Sequence, residues 1–71
     1  MEINRLKVVL AEKKKKNVWL ANEIGKNQTT ISQWCTNQRQ PSLETLIKIA
    51  CVLEVDAREL INPTKFIING R

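Results

Sequence analysis

Gln28, Thr29, Ser32 and Gln33 crowd one short run of the chain. If that run is a helix with Ile31 and Trp34 turned inward, these four side chains stay on its outer face. Their chemistry is directional hydrogen bonding without charge, which suits reading the polar edges of another molecule. Catalysis has no comparable set. The chain lacks histidine and tyrosine, shows no paired-acid site, and offers no base to activate Cys35 or Cys51. Neither cysteine belongs to a CxxC pair, and without histidine no Cys-His zinc site can be drawn. The expectation is therefore no enzyme, no metal and no cofactor, with both cysteines acting as small buried hydrophobes.

Two short amphipathic segments must hold that outer face in place. Leu20, Ala21 and Ile24 fall at i, i+1 and i+4, the spacing of one inward helical face, and Ile31 and Trp34 give a second. Between them, Gly25 tolerates the left-handed conformation that ends a helix, and Asn27 can cap the next one. Residues 17–36 thus read as a helix-turn-helix unit, with helices expected at 18–24 and 28–35. Thr36-Asn37 should end the second of these, because asparagine is the best non-glycine residue for a left-handed cap.

The remaining segments brace this unit. Residues 2–13 contain good helix formers, with Ile3, Leu6, Val9 and Leu10 at three- and four-residue steps, and predict a first helix. Lys13, Lys14, Lys15 and Lys16 end it, beside the negative end of its dipole. They read either as a solvated turn or as a phosphate-facing cluster, since Lys16 and Asn17 stand at a helix N-terminus that attracts anions. Trp19 lies off the inward face and is expected to pack under a neighbouring segment such as the C-terminal tail. A polar loop carrying Arg39 leads to Ser42, a cap signal supported by Glu44 in the first turn. Leu43, Leu46, Ile47, Ile49, Ala50 and Leu53 then predict the most buried helix of the chain, with Cys51 and Val52 partly covered. Asp56 caps a short fifth helix expected at 57–61, stopped by Asn62-Pro63. The apolar tail Phe66-Ile67-Ile68 either folds back on the domain or pairs with a second subunit.

A chain of 71 residues makes one small domain, here residues 1–62 with a tail at 63–71, and buries only about 60 to 65 % of its surface. Its 42 % hydrophobic and 27 % charged residues exclude wholesale disorder. No apolar run approaches the roughly 20 residues a bilayer needs, and no signal sequence stands out, so a cytoplasmic location and no membrane partner are expected. The formal net charge of +5 favours a polyanionic partner. Nucleic acid is the commonest, and an anionic membrane surface is the rival.

The sequence resembles the Cro/repressor-type helix-turn-helix family, often called XRE-like, over about residues 3 to 61. The residues that carry the likeness are Leu20-Ala21, Gly25, Ile31, Trp34, PSLETL from Pro41 to Leu46, and the closing IACVLEVDARELI. No single element is specific, but their order and spacing are. Ala21 must be small where the two helices cross, and Ile31 wedges between them. The likeness implies an all-α fold, a five-helix lambda-repressor-like domain. Two linked departures stand out. Many relatives carry an arginine where Leu10 stands and a glutamate where Cys35 stands, an ion pair replaced here by two apolar residues. The lysine run also replaces a glycine and an apolar residue common at that turn, and Asn37 stands where many have glycine.

The resemblance further implies double-stranded DNA as partner, with the third helix in the major groove and the second crossing the backbone. Gln28, Thr29, Ser32 and Gln33 would then read bases. Lys16, Asn17, Asn27, Thr30, Thr36 and Arg39 would clamp phosphates, with Lys26 a weaker candidate. Lys48, Arg58 and Lys65 lie on later segments and read as solvated charges. One unit reads few base pairs, so a homodimer is expected, paired through the fifth helix and the tail, acting as a small transcriptional repressor. Two other jobs fit the same residues. An antitoxin would bind a protein toxin as well as its own operator, and an interaction module would use Trp19 and the apolar tail.

Overall fold

Ile31, Leu20, Leu6, Ile49 and Leu60 come from five different segments and are all sealed from solvent at one centre. In the computed structural model, which describes residues 2–65, the elements around that centre are α1 (Leu6–Glu12), α2 (Asn17–Ile24), α3 (Gln28–Cys35), α4 (Leu43–Leu53) and a 3-10 turn (Ala57–Leu60). The fold is all-α, and the described residues contain no strand beyond an isolated antiparallel bridge between Asn4 and Ile61. α2 packs on α3 and α4, α1 on α3 and the 3-10 turn, and α4 on the same turn.

Local signals explain most boundaries. Gly25 ends α2 with φ +71°. A Cβ there would meet nothing within 4 Å, so backbone conformation and not space demands glycine. Asn27 Oδ1 accepts the Thr30 N–H at 2.8 Å and starts α3. Ser42 Oγ does the same for Thr45 and starts α4. Asp56 accepts the Arg58 N–H at 2.9 Å while Glu59 accepts the Asp56 N–H at 3.0 Å, a reciprocal box at the last turn. That backbone bond, helped by the Arg58 charge and opposed by slight burial, holds the Asp56 carboxyl below its ordinary range.

Several expectations need correction. The first helix begins at Leu6, not at residue 2, and Ile3 is exposed instead of inward. The cause is Asn4, a buried residue whose side chain takes the Leu6 N–H at 3.0 Å and caps the helix from outside. In α4, Leu46, Ile49, Ala50 and Leu53 are buried, whereas Leu43 and Ile47 are 71 % and 49 % exposed. Cys51 is exposed with them. Steps of four place Leu43, Ile47 and Cys51 in a stripe beside the buried one, and α4 is covered on one side only. The fifth element is a 3-10 turn that stops at Leu60, because Ile61 joins the bridge to Asn4. The tail Phe66-Ile67-Ile68 lies outside the described residues. Trp19 is half-buried against the core, with the Lys15 ammonium 4.6 Å from its ring centroid.

The C-terminus of α3 is fastened by Asn37, whose φ of +62° is the left-handed conformation expected of it. Its Oδ1 accepts the N–H groups of Ile3 at 2.8 Å and Asn4 at 2.9 Å, and its Nδ2 donates to the Asn4 carbonyl at 3.2 Å. Asn4 answers by donating to the Trp34 carbonyl at 2.9 Å and to Gln40 Oε1 at 2.7 Å. Asn37→Gly keeps the backbone conformation but orphans these donors and should cost about 1 to 3 kcal/mol; Asn37→Ala adds roughly 1 kcal/mol of left-handed strain. Urea unfolding checks the order, Ala below Gly below wild type, at unchanged m.

Candidate nucleic-acid interface

α3 earns its orientation from both ends and from one face. Ile31 and Trp34 are buried, Asn27 caps the start, and Asn37 ties down the end. The opposite face is therefore fixed outward. Gln28, Thr29 and Ser32 are exposed and Gln33 is half-buried. Together with Asn17 from α2 they line one open groove, which also includes Gln38. The structure thus gathers all four expected reading residues and one expected phosphate residue.

The other expected phosphate residues do not line that groove. Lys16 is the exposed N-cap of α2, immediately before Asn17. Asn27 is exposed, but its Oδ1 is committed to the cap of α3, and Thr30 is half-buried. Arg39 is exposed in the loop after α3, its N–H donating to the Gln33 carbonyl at 3.3 Å. Thr36 turns its hydroxyl back into the helix, donating to the carbonyls of Ser32 at 3.1 Å and Gln33 at 3.2 Å. Gln38 was missed in sequence, where the loop seemed to offer only Arg39. The available signal was Asn37: a left-handed residue folds the chain back, and the Gln38 N–H returns to the Gln33 carbonyl at 2.9 Å.

Leu10 and Cys35 stand where the resemblance implies an ion pair in many relatives, and the structure brings them to one place. Both line a second depression between α1, α2 and α3. Leu10 is 3 % exposed and Cys35 is half-buried, its Sγ donating to Asn17 Oδ1 at 3.7 Å. Burial pushes the Cys35 thiol up from its ordinary range, and the nearby Lys7 charge pulls part of the way back. The site holds no constellation for metal either: among the described residues no group of His, Cys, Asp and Glu could bind an ion. No helix among the described residues is long and apolar enough to cross a membrane.

A buried, doubly capped α3 set across α2, with an uncharged hydrogen-bonding face outside, defines a helix-turn-helix protein. The family model described as helix-turn-helix matches residues 10–60, and the chain belongs to that family in its Cro/repressor (XRE) form. A crystal structure described as "a putative DNA-binding protein from Bacteroides fragilis" is similar to it, with a TM-score of 0.84 and 58 % sequence identity. The alignment covers 87 % of this chain and 100 % of that one. No curated protein matches the chain.

The two cysteines should differ in reactivity. Cys51 is exposed and Cys35 is half-buried with its thiol bonded to Asn17. With iodoacetamide at neutral pH, mass spectrometry should find Cys51 alkylated first by about tenfold or more, since the thiolate is the reactive form and burial disfavours it. The Cys35 rate should climb only at more alkaline pH.

Proposed function

We propose that this chain is a sequence-specific double-stranded DNA-binding protein that acts as a small transcriptional repressor, placing α3 in the major groove. The observation that carries this reading is the groove lined by Gln28, Thr29, Ser32, Gln33, Gln38 and Asn17, all uncharged and all able to donate and accept hydrogen bonds. A major groove about 12 Å wide admits a helix and displays a distinct donor and acceptor pattern for each base pair. Glutamine matches the N6 and N7 edge of adenine bidentately, and threonine pairs a hydroxyl with a methyl that suits thymine. Phosphates on either side would meet Lys16, Asn17, Asn27, Thr30, Thr36 and Arg39, which set register without reading sequence. Asn17 suits that job, because its Oδ1 accepts from the Cys35 thiol while its amide nitrogen can donate to a phosphate oxygen.

A single unit reads few base pairs, so two copies act together on half-sites about 34 Å apart. Sedimentation of the chain with a two-half-site duplex should give a complex of two chains per duplex; one chain per duplex at micromolar protein would count against the homodimer.

The base-reading assignment has its own test. After selection of a bound site from random DNA, Gln28→Ala and Gln33→Ala should each cost about 1 to 3 kcal/mol at one position of the site and relax preference there. Lys16→Ala should weaken all sequences alike. Equal losses on selected and random duplex for Gln33→Ala would remove it from the reading set.

A further inference from the structure

One face of α4 carries apolar side chains that the core does not use. Leu43 is 71 % exposed and Ile47 49 %, and Cys51 is exposed one turn further on. Ile47 and Cys51 also line an open groove between α4 and the end of α2, with the half-buried Ile24 and Val52 and the exposed Glu23 and Lys48. α2 supplies the acid and α4 the base. They do not pair with each other, since among the described residues the one ion pair is Arg58 with Asp56. A carboxylate and an ammonium thus stand unpaired on opposite walls of an apolar floor. Their charges cancel, in a chain whose formal net charge is +5.

Two properties of this face select its occupant. The stripe of Leu43, Ile47 and Cys51 advances by four residues on either side of Ile47, so a two-fold axis at Ile47 lays it antiparallel on a copy of itself. In that register Ile47 meets the partner's Ile47, and Leu43 meets the partner's Cys51. The charges match under the same operation, because the acid from α2 of each copy turns towards the base from α4 of the other. Two chains of net charge +5 repel one another, and a locally neutral face is where they approach at least cost.

We propose that this face binds a second copy of the chain, α4 against α4 about a two-fold axis at Ile47, with Glu23 of each copy facing the partner's Lys48. The exposed leucine and isoleucine supply the affinity, and the two charge pairs fix the register. This interface differs from the pairing through the fifth element and the tail that the family resemblance led us to expect. It belongs to the chain free of DNA, so it stands apart from the reading of α3.

The test therefore uses the full chain without DNA. Sedimentation over a range of concentrations should show the mass rising from one chain to two. Ile47→Glu should weaken that association by about thirtyfold or more with an unchanged far-UV circular dichroism spectrum. Glu23→Lys and Lys48→Glu should each weaken it by about tenfold, because each sets like charges against one another, whereas an equal mixture of the two variants should associate as the wild type does. With diamide, which takes up the two electrons and two protons of a pair of thiols, Ile47→Cys should bridge to its own counterpart and Leu43→Cys should bridge to the partner's Cys51. Within one chain positions 43 and 51 lie about 12 Å apart along the helix, beyond the roughly 7 Å a disulfide spans, so the second bridge must join two chains. Alkylation of Cys51 should slow as the chain concentration rises, and that of Cys35 should not. A wild-type chain that stays monomeric at every concentration, as it would if its own tail covered the stripe, overturns the proposal. So does a dimer that Ile47→Glu and the charge variants leave intact, or the absence of both bridges. Loss of DNA binding would bear on none of these outcomes.

Discussion

The pairing of Asn37 with Asn4 is the constraint on which the orientation of α3 depends. A recognition surface is useful only if its angle to the rest of the domain is fixed, and an eight-residue helix has little stability of its own. Core burial of Ile31 and Trp34 fixes one face but leaves the helix free to pivot about that contact. Asn37 removes the pivot by bonding the extended segment before α1, and Asn4 returns bonds to the last turn of α3 through the Trp34 carbonyl. That segment is itself held to the 3-10 turn, since the Arg5 N–H donates to the Leu60 carbonyl and the Asn62 N–H to the Ile3 carbonyl, each at 2.8 Å. The 3-10 turn thereby braces α3 through the segment before α1. Asn4 is buried, and no buried side-chain nitrogen or oxygen among the described residues lacks a partner. A satisfied polar cluster of this kind specifies one arrangement more sharply than apolar contact does.

Leu10 and Cys35, where the family resemblance implies an ion pair in many relatives, work by the opposite principle. A buried pair must recover a desolvation cost of several kcal/mol before it stabilises anything, so apolar packing at the same place loses little. Leu10 completes the core there, and the Cys35 thiol spends its weak donor on Asn17. The positive charge beside them belongs to Lys7 and Lys15, which line the same depression. Lys14, in the neighbouring lysine run, adopts φ +58°, a left-handed conformation that a lysine resists. The turn accepts a strained lysine, at roughly 1 to 2 kcal/mol, in exchange for an unbroken cationic run.

Much of this architecture was legible in the sequence, and the exceptions share a cause. Gly25, Asn27, Ser42 and Asp56 announce their roles through rules that act within four residues, and each cap falls where those rules place it. The outward face of α3 was legible for the same reason: helix periodicity alone separates the buried Ile31 and Trp34 from Gln28, Thr29, Ser32 and Gln33. The start of α1 was not, because Asn4 competes for the backbone only after Trp34, Asn37, Gln40 and Ile61 have been brought to it. Leu43 and Ile47 misled for the converse reason. Their spacing is as regular as that of Leu46 and Ile49, and only the tertiary arrangement leaves Leu43 71 % and Ile47 49 % exposed. Gln38 needed the chain reversal at Asn37 before it could be placed in the groove.

Charge is excluded from the reading face and concentrated around it, and this division has a physical consequence for the proposed complex. Ammonium groups bind phosphate at long range and with little dependence on direction, so a lysine among the reading residues would hold the helix to any sequence. Glutamine, threonine and serine exert almost no force until their partners are within hydrogen-bonding distance, and a mismatched base leaves them unpaired at a cost of about 1 to 3 kcal/mol. In the proposed complex the cations of the α1 to α2 turn would bring the duplex up and hold its register, while the neutral face would decide whether it stays. Salt acts on the first contribution and sequence on the second. Asn17 and Ser32 belong to both the groove and the depression beside it, so any contact that held Asn17 to a phosphate would also bear on the position of the neutral face.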